Sequence, residues 1–323
     1  MRFLPAAILG VALLAATAHA GDKKKDDPSQ IGNRDVAKGV NFYSLEREMA
    51  LGKQLAEEVQ RQAKMVDDPL ISEYVNRLGQ NLARNSDAKV PFTFRVIQGD
   101  ALNAFALPGG YVFVYSGLIK VADEEDEFAG AVAHEIAHVA ARHMTRQATK
   151  AQLADILTAP LGAVLGGWAG YGARQAAGLA IPMTFLSFSR HDETEADYLG
   201  VQYMYAAGYD PNGAVSIFEK MESLERKKPG AIAKVFSTHP MDADRISRTQ
   251  QEIDRILPSK PEYVVTTSDY RNMRERLMDL ENRRPGVGED GRPRLRVNPG
   301  AGKAGDQTDT GDRPTIHRRD LVE

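Results

Sequence analysis

The stretch Ala133-His134-Glu135-Ile136-Ala137-His138-Val139 decides the fold, because it sets two imidazoles four residues apart with a carboxylate directly after the first. On a helix, residues four apart share one face. This is the H-E-x-x-H arrangement, in which two neutral His nitrogens hold zinc and the Glu acts as a base toward water. The flanking sequence agrees. Asp123-Glu124-Glu125-Asp126-Glu127 places acids where a helix N-terminus favours them, and Phe128 to Ala141 is otherwise almost wholly apolar or small. Three ionisable side chains inside an apolar helix cost free energy unless a metal or another partner satisfies them.

Composition narrows the chemistry further. With 323 residues and 42% hydrophobic content the chain can build a full core around a buried site. Its 41 basic and 44 acidic residues are interspersed, for a net charge of −3, and no basic stripe points to nucleic acid. The absence of Cys removes disulfides, thiolate catalysis and cysteine zinc sites together, leaving His, Asp and Glu as metal ligands.

At the N-terminus, Arg2, the apolar run Phe3 to Ala18 and the junction Ala18-His19-Ala20 precede the polar Gly21-Asp22-Lys23-Lys24-Lys25. This is the pattern of a secretory signal peptide over residues 1–20 and predicts a periplasmic protein; an uncleaved membrane anchor is the alternative. No Cys follows the apolar run, which excludes a lipoprotein anchor. Residues 21–40 lack periodicity and read as a linker. Beyond Arg284 the chain turns rich in Gly, Pro and charge, which predicts a disordered tail over 284–323. The folded domain then spans 41–283.

Within that domain Ser44 opens one helix, with Glu46 and Glu48 in its first turn, and Asp68-Pro69 opens a second through an N-cap and a Pro at the first helical position. Phe92, Phe94 and Val96 alternate with Thr93, Arg95 and Ile97, and the run Tyr111 to Tyr115 follows the turn Pro108-Gly109-Gly110. Between them, Asn103, Ala104 and Phe105 begin a short edge strand whose backbone is able to hold an extended peptide. The fold class is therefore α+β, mostly helical, with a small antiparallel sheet beside the H-E-x-x-H helix.

A catalytic zinc site needs a third protein ligand. The extended pattern H-E-x-x-H-x-x-G-x-x-H fails, since Ala141 and Met144 stand where Gly and His are required, and His143 is expected in the helix's last turn. The uncharged, Gly-rich stretch from Ile156 and the apolar residues that continue to Ser189 read as a lid or plug over 156–189. In the helix that follows, Ala196, Leu199, Gly200, Tyr203 and Met204 mark the buried face. Glu193 lies near that stripe and Asp197 one turn on, whereas Glu195 points away as a solvated or capping carboxylate. Glu193 is thus expected on the metal, and Asp197 behind a ligand His as the acceptor that fixes its tautomer. His239, pinned by Pro240, is expected either to donate a hydrogen bond in the transition state or to occlude the zinc as an extra ligand, and Arg245 to orient groups nearby.

Taken together, Asn-Ala-Phe-Ala-Leu-Pro-Gly-Gly at 103–110, His-Glu-Ile-Ala-His at 134–138, Glu-Thr-Glu-Ala-Asp at 193–197 and Thr-His-Pro at 238–240 resemble the zinc metallopeptidase family of the CAAX prenyl protease type, in its soluble, exported bacterial branch. The resemblance covers roughly residues 41–283. It implies a zincin-type domain of the gluzincin class, with one Zn2+ on His134, His138 and Glu193, Glu135 as catalytic base and His239 near the metal. It also implies polypeptide substrates such as misfolded envelope or outer-membrane proteins, and is compatible with association at a membrane surface. The expected activity is zinc-dependent endopeptidase action in envelope protein quality control. The rival reading is a chaperone-like envelope assembly factor with a latent, plugged zinc site.

Overall fold

The computed structural model describes residues 26–158, 188–227, 239, 243–282, 286–287 and 293–294. The signal peptide, most of the lid segment and most of the tail lie outside them. Residues 26–40 carry little regular structure yet are tied down. Arg34 pairs with buried Asp87 at 2.6 Å and donates to Gln202 Oε1 at 2.6 Å, and Val36 is buried.

Helix α1 (Leu45–Gln62) starts where Ser44 accepts a hydrogen bond from the Arg47 N–H, and α2 (Pro69–Arg84) where Asp68 accepts from the N–H groups of Leu70 and Ile71. Both caps satisfy donors that a helix start leaves open. Ile71, Tyr74, Val75, Leu78 and Leu82 form the buried stripe of α2.

The sheet comprises β1 (Thr93–Ile97), β2 (Ala104–Leu107) and β3 (Tyr111–Tyr115) in the order β1-β3-β2. It is mixed, which corrects the expectation of an antiparallel sheet. The tight connection over Pro108–Gly110 folds β2 back on β3 as an antiparallel pair, with Phe105 opposite Phe113. That occupies one edge of β3, so β1 joins the other edge and runs parallel to it, Thr93 opposite Tyr111. Gly110 makes the turn feasible. Its φ is +91°, and a Cβ there would lie 2.1 Å from the Pro91 carbonyl oxygen. As expected, β2 is an edge strand.

After α3 (Ser116–Val121) comes α4 (Glu125–Ala140), which opens with a capping box between Glu124 and Glu127 and buries every residue except Ala131. The chain breaks at Arg142 and continues as α5 (His143–Thr158). Helix α6 (Arg190–Ala207) is capped by Ser189 and ends at left-handed Gly208; α7 (Asn212–Lys227), α8 (Ala243–Ile256) and α9 (Ser268–Asn282) follow. Helix α4 lies centrally, packed mainly on α6 and α7 with β2 along one side. Gly130 allows the close approach of α7, since a Cβ there would sit 2.7 Å from Ala214 Cα.

Contact clustering divides the chain at Met278. The described part of the second unit is the end of α9 and an antiparallel pairing of β4 (Gly286–Val287) with β5 (Pro293–Arg294). Among the described residues no helix is long and apolar enough to cross a membrane.

Candidate active site

Helix α4 sets His134 and His138 one turn apart, both buried, with their Nε2 atoms 3.0 Å from each other. Helix α6 adds Glu193, whose Oε2 is 3.4 Å from His134 Nε2 and whose Oε1 is 3.5 Å from His138 Nε2. His239 places Nδ1 3.3 Å from His134 Nε2 and 2.9 Å from Glu193 Oε1. These four donors all lie within 4.8 Å of one another.

The donor set suits a metal ion on physical grounds. Ligand atoms bound at about 2.0–2.2 Å around a tetrahedral ion stand about 3.3–3.6 Å apart, and the separations here run from 2.9 to 3.5 Å. Glu193 Oε2 is buried without a hydrogen bond, its nearest compensation being Arg245 Nη1 at 3.0 Å. Charges are already arranged for ligation. Against the upward push of burial, His239 and His134 hold the Glu193 carboxyl well below the usual carboxylate range. Burial, together with the charge of His134, pushes His138 down, toward the neutral form a ligand needs. For His134 burial acts downward too, but the hydrogen bonds to Asp197 and Glu193 outweigh it and raise this group to about 9.

Glu135 shares the buried face. Its Oε2 accepts a hydrogen bond from the Ala106 N–H at 2.9 Å, and its Oε1 lies 3.3 Å from His239 Nε2. Burial raises its pKa. Because backbone groups alternate direction along an antiparallel strand, those of Ala104 share the free edge with Ala106. Asn103 and Ala104 line a cavity of about 40 Å³ with Leu118, Phe218, Met221 and Arg245, beside His134 and Glu135. The Phe105 ring instead turns into the core and stacks on Phe113 at 5.3 Å.

Behind the donors, Asp197 Oδ1 is 3.0 Å from His134 Nδ1. Arg245 grips Asp197 with two hydrogen bonds, of 2.6 and 2.7 Å, and lies over the Phe218 ring at 4.5 Å. Sequence reasoning gave Arg245 only a loose orienting role; its position six residues after His239 was the one signal.

Two expectations need correction. His143 does not end the α4 helix; it opens α5, fully buried, with Nδ1 2.9 Å from His138 Nδ1. Glu195 is not a solvated carboxylate either. It is half-buried and accepts from His143 Nε2 at 3.1 Å and Arg146 Nη1 at 3.2 Å. Of the lid segment, Phe188 is described, and its ring stacks on His138 with 3.9 Å between centroids.

The model of Peptidase family M48 matches residues 69–253, a span holding all four donors and Glu135. The chain belongs to peptidase family M48. M48 peptidases are metal-dependent, and the donor cluster of this M48 chain is able to hold the ion. It is 30% identical over 249 residues to the beta-barrel assembly-enhancing protease of Yersinia pestis, a match covering 73% of this chain and 49% of that protein. It is 35% identical over 181 residues to the mitochondrial metalloendopeptidase OMA1 of Schizosaccharomyces pombe, covering 55% and 52%. With metalloprotease LoiP of Escherichia coli it shares 28% over 242 residues, 73% of this chain and 92% of that one. The chain thus spans about half the length of the beta-barrel assembly-enhancing protease it matches.

Proposed function

We propose that the protein is a zinc-dependent endopeptidase of the bacterial cell envelope, exported to the periplasm, that cleaves extended or misfolded protein segments in quality control. The observation that carries this reading is one buried cluster combining His134, His138 and Glu193 with a carboxylate, Glu135, that is not needed as a ligand. A structural zinc site closes with four protein ligands, whereas a hydrolytic one keeps three and a base beside them. The names of the beta-barrel assembly-enhancing protease and LoiP support the envelope setting.

Zinc, when bound by His134, His138 and Glu193, supplies a Lewis acid that polarises a scissile carbonyl and makes water more acidic. The chain's own residues do the rest. An extended peptide pairs with the free edge at Ala104 and Ala106, gaining sequence-tolerant backbone hydrogen bonds. Glu135 takes the proton of the attacking water at its carboxylate and delivers it to the leaving amine. Asp197 and Arg245 keep His134 and Glu193 oriented, and the packing around them excludes bulk water.

A second reading follows from His239. With Nδ1 against His134 and Glu193 and Nε2 against Glu135, it occupies both halves of the site at once. This favours a latent protease, or at the limit a chaperone-like assembly factor whose zinc is plugged. Under gating, His239→Ala raises proteolysis; under transition-state assistance it lowers it.

Zinc analysis of the purified protein, run beside digestion of denatured casein with and without chelator, tests the main reading. The expected result is one zinc per chain, with cleavage lost on chelation and restored by zinc. Cleavage indifferent to chelation would overturn it.

A further inference from the structure

We propose that His143 is a positioning residue which, anchored by Glu195, fixes the tautomer of His138 and so turns the His138 Nε2 lone pair toward the metal; the inference rests on the zinc site proposed above. The geometry is unusual for sequence neighbours. Continued helically, a residue five positions after His138 would point about 140° away from it. Instead Arg142 takes a left-handed conformation with φ of 56°, which costs a side-chain-bearing residue about 1–2 kcal/mol. The fold holds it there. Arg142 donates from Nε to buried Glu48 Oε2 at 2.6 Å and from Nη2 to the Tyr43 carbonyl at 2.6 Å, and Thr145 Oγ1 also donates to Glu48, at 3.0 Å. The break brings His143 back against His138, with their rings 4.9 Å apart.

Proton bookkeeping then gives the chain of bonds a direction. The Glu195 carboxylate only accepts, so His143 Nε2 carries a proton and donates it across 3.1 Å. In a neutral imidazole this leaves Nδ1 bare, ready to accept from His138 Nδ1–H at 2.9 Å. His138 Nε2 is then left with its lone pair, facing His134 and Glu193. Run the other way, the relay would put a proton on that same nitrogen and bar ligation. Arg146 fixes the far end by donating to Glu195 at 3.2 Å and to the Ala141 carbonyl at 3.3 Å. The two ligand imidazoles are therefore oriented differently: His134 directly by Asp197, His138 through a second imidazole.

Imidazole 15N NMR of the His-labelled full chain, loaded with zinc and metal-free, reads the tautomers without any substitution. The expected spectrum shows His143 with its proton on Nε2 and none on Nδ1, and His138 protonated on Nδ1. A proton on His143 Nδ1 in the zinc-loaded protein overturns the proposal. Should the wild type take up no zinc, the proposed function fails, and the metal-free spectrum still decides the relay by the same criterion. Zinc affinity by chelator competition is the second readout. His143→Leu should weaken it about 10–100-fold with a cooperative unfolding transition retained, and His143→Gln, whose amide accepts and donates in the same sense, should recover most of it. If His143→Leu fails to fold, Glu195→Ala carries the same comparison. Wild-type affinity in a folded His143→Leu or Glu195→Ala protein contradicts the relay.

Discussion

Arg245 shows how strongly one residue can bind a site together. Its side chain and those of Asp197 and Glu193 are almost wholly buried, and it is ion-paired to both carboxylates. Removing one partner of a buried pair leaves uncompensated charge, so Arg245→Met should destabilise the metal-free protein by about 3–5 kcal/mol in urea unfolding. A change within experimental error would mean the carboxylates find other compensation. Asp126 predicts a pH effect away from the metal site. Burial, added to the charges of Asp210, Glu127 and Glu124, pushes it up to about 7 despite a hydrogen bond from the Glu127 backbone. An unfolded Asp titrates near 3.9. Between those values the folded state keeps a proton the unfolded state has lost, so this group's contribution to stability falls as pH rises from about 4 to about 7. Asp126→Asn should therefore gain on the wild type between pH 5 and pH 8, measured as urea midpoints; an identical gap at both pH values would refute the assignment.

At the scale of elements, the β2–β3 turn controls where the edge strand lies relative to Glu135. Gly110→Ala puts a Cβ into a left-handed turn and against the Pro91 carbonyl, and should cost at least about 1 kcal/mol. Urea denaturation checks it, and unchanged stability would mean that the turn relaxes. What the sequence made legible at this scale had a local physical cause. Ser44 and Asp68 announce helix starts through their caps, and His134, His138, Glu193 and Asp197 could be grouped because helical periodicity assigns each a face. What escaped depends on contacts between elements. The parallel pairing of β1 follows from β2 already holding the other edge of β3, and strand alternation alone does not encode that. The contact of His143 with His138 and Glu195 requires a helix break at Arg142, a residue whose own preference is to continue the helix; Glu48, far upstream, supplies the reason.

For the whole molecule, buried acids and imidazoles from α4, α6 and the segment bearing His239 are gathered around one point, which makes folding and metal binding interdependent. Anything that binds only the folded state stabilises it by mass action. Chelation should therefore lower the thermal midpoint, and zinc should restore it. No shift would imply that the donors are satisfied among themselves. The account's central claim is that these elements converge to hold a zinc ion beside a separate base. Its most direct test is casein cleavage by Glu135→Gln at zinc content matched to the wild type. The account predicts one zinc per chain in both proteins and at least about 100-fold less cleavage by the variant, whereas wild-type cleavage by zinc-loaded Glu135→Gln would contradict it.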